Sequence, residues 1–146
     1  MLQDKKTVRS IRAMIKNNSI EEVKFSSQIT LVAIGIMIEP LNLLNPIKEG
    51  VKIKQKTAKN SPYEKLVDAL IAILSGARGL VEVNTRVRPE QAVPQAFGRS
   101  GCAEQSVIQE TLNAVSAENI VEMEKALKEI YQKQSVGIKH NYQEQL

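Results

Sequence analysis

Segment 100–116 divides, when wound as a helix at about 100° per residue, into an apolar face and an uncharged polar face. The apolar face comprises Val107, Ile108, Thr111, Leu112, Ala114 and Val115. The polar face carries only amides and hydroxyls, from Gln105, Ser106, Gln109, Asn113 and Ser116. The pattern predicts a helix over 103–115, with Gly101 as its N-cap and with Val107 and Leu112 buried.

Similar periodicity predicts helices on either side of this segment. Ser61, Pro62 and Glu64 form a capping box with proline at the first helical position, and Gly76 should end that helix. Shorter helices are predicted over 80–87 and 90–97, the second closed by Gly98. The last helix, 117–134, should be capped by Ser116 and keeps its apolar positions in helical register.

The first sixty residues are less regular. Residues 7–17 have a helical apolar pattern, and residues 21–25 have a weak strand pattern. Residues 28–44 favour a helix kinked or split by Pro40, although the β-branched start is equally compatible with a buried strand. Residues 48–59 contain five lysines and little apolar content, and we interpret them as a mobile or surface linker.

These patterns predict an all-α fold, a small helical domain with a helix-turn-helix-like unit and at most one short N-terminal strand or hairpin. The predicted organisation is a basic N-terminal segment (1–60), the helical domain (61–134) and a polar tail (135–146). Aromatic residues make up only 3% of the chain, so the core must be aliphatic, which favours packed helices.

The helix-turn-helix-like unit covers residues 90–116, where a glycine-containing turn joins two helices. In that motif the second helix enters the major groove, and glutamine or asparagine can pair bidentately with adenine. We therefore predict base contacts from Gln105, Ser106, Gln109 and Asn113. From the polar face alone, a bland solvent-facing surface is the simpler interpretation. The turn is a residue or two longer than in the strict motif.

Cations near this helix suggest phosphate contacts. Arg99 and Ser100 directly precede it, where they could hold a phosphate beside free backbone N–H groups. Arg78, Arg86 and Arg88 lie one helix earlier and are further candidates. The alternative is ordinary charge at helix ends.

The net charge of +4 is unevenly distributed. Residues 1–60 hold eleven Lys and Arg against five Asp and Glu, whereas the rest of the chain is slightly acidic. This asymmetry suits a polyanionic partner, although a basic arm can also simply aid solubility. The single cysteine fits a reducing compartment, and no apolar run is long enough to span a bilayer. We expect a cytoplasmic, nucleoid-associated protein that does not engage a membrane.

Three motifs resemble a known family. They are Leu-Ser-Gly-Ala-Arg-Gly-Leu-Val-Glu-Val-Asn-Thr-Arg at 74–86, Gln-Ala-Phe-Gly-Arg at 95–99 and Cys-Ala-Glu-Gln-Ser-Val-Ile-Gln-Glu-Thr-Leu at 102–112. Their order and spacing resemble the N-terminal region of bacterial insertion-sequence transposases of the Asp-Asp-Glu, RNase H-like superfamily. The resemblance extends from Ser61 to about Leu127.

The resemblance implies a function in transposition, with double-stranded DNA at insertion-sequence ends as the partner. It also implies a nuclease domain with two metal ions on carboxylates, but the only aspartates here are Asp4 and Asp68. Asp68 falls in an exposed-looking register of a helix. We therefore expect a truncated transposase or its N-terminal part, without catalysis, and Mg²⁺ only in the missing domain.

Other functions stay open. Helix 117–134 could pack against a second copy in a homodimer or against the absent catalytic domain, which would make the chain an interaction module. A decayed reading frame without function is a further alternative. A small enzyme is disfavoured, because Cys102 and the distant His140 are poor evidence for a catalytic dyad.

Overall fold

The computed structural model describes residues 28–56 and 59–139, and every regular element in these ranges is helical. The α-helices are α1 (Ile29–Ile38), α2 (Asn45–Gly50), α3 (Pro62–Leu74), α4 (Ala92–Ala96), α5 (Gln105–Asn113) and α6 (Ala117–Gln134). A 3₁₀ turn, Leu80–Glu82, runs into a π-helical turn, Val83–Val87, and a second 3₁₀ turn, Val136–Lys139, follows α6. The all-α prediction is confirmed. The predicted helix at 7–17 and strand at 21–25 lie outside the described residues.

The capping box predicted for α3 is present. The Glu64 backbone N–H donates to Ser61 Oγ over 3.3 Å, and the Ser61 N–H donates to Glu64 Oε2 over 2.6 Å. These bonds satisfy donors that a helix start leaves without intrahelical partners. At the other end Ser75 is the C-cap, and Gly76 takes a φ of +79°. This left-handed conformation ends the helix, as predicted for Gly76.

Helix α6 begins with a reciprocal cap of the same kind. The Asn119 N–H donates to Ser116 Oγ over 3.3 Å, and Asn119 Oδ1 accepts from the Ser116 N–H over 3.1 Å. Asparagine thus occupies the position that glutamate holds in α3. The predicted cap at Ser116 is confirmed.

Residues 28–44 do not form one helix, since α1 ends at Ile38 before Pro40 and α2 begins at Asn45. Proline removes a backbone donor and clashes with the preceding turn, which explains the split. Helix α1 packs closely on α4 at Gly35, where a Cβ atom would lie 2.7 Å from Cδ2 of Phe97. A larger residue cannot fit there without movement of the ring and of the Ala96 backbone, whose carbonyl carbon would lie 2.9 Å from the added atom.

The main core surrounds α3 and adds residues from α1, from the helical turn Val83–Val87, from α4 and the segment after it, and from α5. Its buried apolar members are Leu31, Val67, Ile71, Ala72, Val83, Val87, Val93, Phe97, Ala103 and Ile108. The core is aliphatic apart from Phe97, as the composition predicts.

A second, smaller core corrects the linker prediction for residues 48–59. Val51 and Ile53 are buried with Ala126 of α6, and α2 packs along the same helix. Asn119 Nδ2 donates to the Lys52 carbonyl over 3.1 Å, and the Lys52 N–H donates to Glu122 Oε2 over 2.9 Å. The described part of this segment is therefore fixed to α6.

Gln55 also links this segment to the main body of the fold. Its Oε1 accepts from Lys65 Nζ over 3.2 Å and from Thr111 Oγ1 over 2.7 Å, so it bridges α3 and α5. Contacts thus cross the boundary predicted at residue 60, and the described residues on either side of it pack together.

Helices α4 and α5 are shorter than predicted, and residues 97–104 connect them. Gly98 closes α4 in the left-handed region, with a φ of +71°. This connection is longer than the turn of about three or four residues in the strict helix-turn-helix. Helix α5 packs chiefly on α3 and on the 3₁₀ turn Leu80–Glu82.

Candidate nucleic-acid interface

The polar face of α5 faces solvent. Ser106, Gln109 and Asn113 are exposed and Gln105 is half-buried. Gln109 Nε2 donates to Asn113 Oδ1 over 2.9 Å, one helical turn away. This bond holds the two amide groups side by side on the surface of the helix.

The opposite face of α5 fixes the helix to the core. Ile108 and Thr111 are fully buried and Val107 is half-buried. Leu112, however, is 37% exposed, so the prediction that it is buried is wrong. At 100° per residue Leu112 lies between the Ile108 row and the Gln105 row, on the border between the two faces.

Asn84 connects α5 to the preceding helical turn. Its Oδ1 accepts from the Gln105 backbone N–H and from Arg88 Nη1, each over 3.3 Å. The exposed Arg88 is thereby placed beside the start of α5, where the helix dipole favours anions. The N-cap is Glu104 rather than the predicted Gly101, and its side chain makes no capping hydrogen bond.

The other predicted phosphate contacts are dispersed. Arg78 and Ser100 are exposed on turns. Arg86 is exposed and forms an ion pair with Glu82, and its carbonyl accepts from Gln28 Nε2 over 3.4 Å beside the start of α1. Only Arg88 is tied to α5 by a hydrogen-bonded bridge among the described arginines. Exposed Glu110 lies on the border of the polar face and adds negative charge there.

Arg99 does not face solvent, which corrects its assignment as a phosphate contact. Its Nε donates to Asp68 Oδ1 and its Nη2 to Asp68 Oδ2, each over 3.1 Å, and the Arg99 side chain is 4% exposed. Further bonds reach Glu64 and Asn60. Burial alone would lower the pKa of Arg99, but its bonds to Asp68 and the two nearby carboxylate charges raise it. A phosphate could reach this guanidinium only by displacing one of its present partners, Asp68, Glu64 or Asn60.

Asp68 is fully buried, so its predicted exposed register is also wrong. Its Oδ2 accepts from the Ala103 backbone N–H over 2.8 Å in addition to the arginine. Asp68 on α3 therefore fixes the backbone just before α5. No periodicity in the sequence marks this role, because the partners lie more than thirty residues away along the chain.

Cys102 lies between this network and α5 and is half-buried. Burial and the charge of Asp68 raise the pKa of the Cys102 thiol to about 12, although Arg99 and Arg88 oppose the shift. At neutral pH the thiol is protonated, which is unsuited to nucleophilic attack. His140, the other member of the dyad considered above, lies outside the described residues.

Within residues 28–56 and 59–139, no group of three or more His, Cys, Asp and Glu side chains is placed to hold a metal ion. No helix in the same ranges is long and apolar enough to cross a membrane. No family model matches the chain, and no curated protein or solved structure matches it.

Proposed function

We propose that this chain binds double-stranded DNA through the polar face of α5, as the non-catalytic N-terminal part of an insertion-sequence transposase. The observation that carries the proposal is the exposed, uncharged row of Ser106, Gln109 and Asn113 on a helix whose other face is fixed in the core. The motif resemblance described above suggests insertion-sequence ends as the target.

The chemistry of the row suits the reading of base edges. The bond between Gln109 and Asn113 uses one donor and one acceptor, and each amide keeps further donor and acceptor capacity. Glutamine and asparagine pair with adenine through both functions, and a serine hydroxyl can donate to or accept from a base edge. Gln105, half-buried at the first turn, is the fourth candidate base contact.

Affinity would come mainly from cations around the row. Arg88, held at the start of α5 by Asn84, is the best-placed phosphate contact, with Ser100 in the preceding turn. Arg78 and Arg86 would add contacts along the DNA, together with the basic segment 1–60. In this proposal Arg99 positions α5 through Asp68 and touches no DNA.

The proposal assigns no catalytic step to the chain. Its only aspartates are Asp4 and Asp68, and Asp68 is engaged with Arg99 in the interior. A Mg²⁺-dependent nuclease function would belong to a separate domain with its own carboxylates.

A titration by fluorescence anisotropy tests the proposal, with a labelled random-sequence duplex at several salt concentrations. We expect the logarithm of the binding constant to fall linearly with the logarithm of salt concentration. In Arg88→Ala the slope should be smaller by about one unit. Lys128→Ala, on the exposed surface of α6, is the matched control and should leave the slope unchanged.

A helical interaction domain is the second candidate function. It is favoured by a row of exposed apolar side chains on α6: Ile120, Leu127 and Tyr131. Absence of duplex binding at low salt, together with concentration-dependent dimerisation in sedimentation, would support it over DNA binding.

A further inference from the structure

An apolar groove lies between α3 and α6, with a volume of about 290 Å³. Leu66, Leu70 and Ile73 form one wall, at helical spacing along α3, and Met123 and Leu127 of α6 form the other. We call this surface the α3–α6 groove. It lies outside the polar face of α5.

The groove is incompletely covered by the described residues. Ile73 is 70% exposed and Leu127 is 52% exposed, and exposed Ile120 and Tyr131 extend the apolar row along α6. Contiguous apolar surface of this kind marks a site of interaction. Glu124 is exposed and, by helical spacing, lies in the same row as Ile120 and Leu127.

Residues 7–17 of the same chain have the pattern that would fit such a groove. Val8, Ile11 and Ile15 fall within an arc of about 60° on a helix, with Met14 beside them. An isolated helix of this length is marginal in water, so it needs an apolar surface to pack against.

The positive charge of residues 7–17 also complements Glu124, which lies beside the groove. Arg9, Arg12 and Lys16 lie together on the side of the predicted helix next to its apolar arc. With the apolar arc in the groove and this side turned towards α6, the three cations would lie beside exposed Glu124 in the row of Ile120 and Leu127. The pairing favours this segment over an acidic partner.

The chain is long enough to make the contact. Gln28 lies beside the C-terminal end of α3, where it lines the same depression as Leu74 and Ser75. Residues 18–27 can extend over about 33 Å. Helix α3 is about 20 Å long, so a segment connected at Gln28 can reach either end of the groove.

We propose that residues 7–17 dock as an amphipathic helix in the α3–α6 groove of the same chain. The inference goes beyond the proposed function and does not depend on DNA binding.

Disulfide cross-linking of the full-length protein tests the docking, in a Cys102→Ala background. The pair Ile11→Cys with Leu127→Cys should cross-link within one chain. The matched pair Ile11→Cys with Lys128→Cys places the second thiol about 100° around α6, away from the groove. We expect the intramolecular disulfide to form at least ten times faster in the first pair than in the matched pair. Equal rates, or covalent dimers in place of intramolecular closure, would overturn the proposal, and dimers would identify a second copy as the occupant.

Hydrogen exchange gives an independent measurement without engineered thiols. Ile11→Asp should increase exchange of backbone amides in 120–131 several-fold relative to the unaltered chain. Ser10→Asp adds the same charge outside the apolar arc and should not. Unchanged exchange in Ile11→Asp would contradict docking. Neither experiment contains DNA, so a result that contradicts docking leaves the DNA-binding proposal untouched.

Discussion

Arg99 and Asp68 form a two-point ion pair in the interior, with Nε–Oδ1 and Nη2–Oδ2 distances of 3.1 Å. The arginine precedes α5 and the aspartate lies on α3, so the pair fixes the approach to the candidate interface. Asp68 also accepts from the Ala103 N–H, which extends the connection to the backbone. Arg99, which the sequence suggests as a phosphate contact, therefore helps to hold α5 in place.

Removal of one partner from this pair should strongly destabilise the fold. Arg99→Ala leaves the Asp68 carboxylate buried without its counter-charge, and we expect a loss of about 3–5 kcal/mol in the free energy of unfolding. Urea denaturation at pH 7 measures the change. Arg86→Ala, which removes an exposed i,i+4 ion pair, should cost less than about 1 kcal/mol. Equal effects of the two substitutions would contradict the assigned role.

The contact of α1 with α4 should not tolerate a methyl group at Gly35. In Gly35→Ala the new Cβ would lie 2.7 Å from the Phe97 ring, and overpacking of this kind costs about 1–3 kcal/mol. Gly50→Ala is the control, because no atom lies within 4 Å of the equivalent position at the end of α2. Thermal unfolding should show a lower Tm for the first variant only.

The stability contributed by Glu64 should depend on pH. Burial would raise the pKa of Glu64, but hydrogen bonds from Ser61 and the charge of Arg99 lower it overall. A carboxyl group with a depressed folded-state pKa stabilises the fold above its unfolded pKa of about 4.3, and this is lost as pH falls through the folded value.

The difference in urea midpoint between the unaltered chain and Glu64→Gln should therefore be larger at pH 7 than near pH 3. Glu49→Gln, which removes an exposed carboxylate from α2, is the control for general charge effects. A difference for Glu64→Gln that grows as the solution is acidified would contradict the stated direction.

Cys102 should react slowly with alkylating reagents. Its pKa of about 12 lies about three units above that of an ordinary thiol, so the thiolate fraction at pH 8 is reduced by about a thousandfold. Iodoacetamide labelling followed by mass spectrometry should be at least a hundredfold slower in the native protein than in guanidinium chloride. Equal rates would show that the thiol is neither buried nor electrostatically suppressed.

Local sequence patterns predicted much of the fold. Both helix caps, at Ser61 and Ser116, depend on residues three positions apart, so they are visible without tertiary information. The stops at Gly76 and Gly98 follow from backbone conformations that glycine adopts without strain.

The errors at residues 48–59, Asp68 and Arg99 involve partners distant in the chain. Val51 and Ile53 lie among lysines, and they are buried against residues distant in the chain, among them Ala126 of α6. The same holds for the candidate site. The exposed row on α5 follows from helical spacing, whereas the bridge from Asn84 to Gln105 and Arg88 has no local pattern that would predict it.

The measurement that tests the DNA-binding proposal most directly compares Gln109→Ala with the unaltered chain. Cycles of selection from a random duplex library would first define the preferred site, and binding would then be titrated on that site and on a scrambled duplex. We expect Gln109→Ala to cost about 1–3 kcal/mol on the preferred site and much less on the scrambled duplex. Gln132→Ala, exposed on α6, should match the unaltered chain on both. If Gln109→Ala binds both duplexes as the unaltered chain does, α5 is not the reading helix.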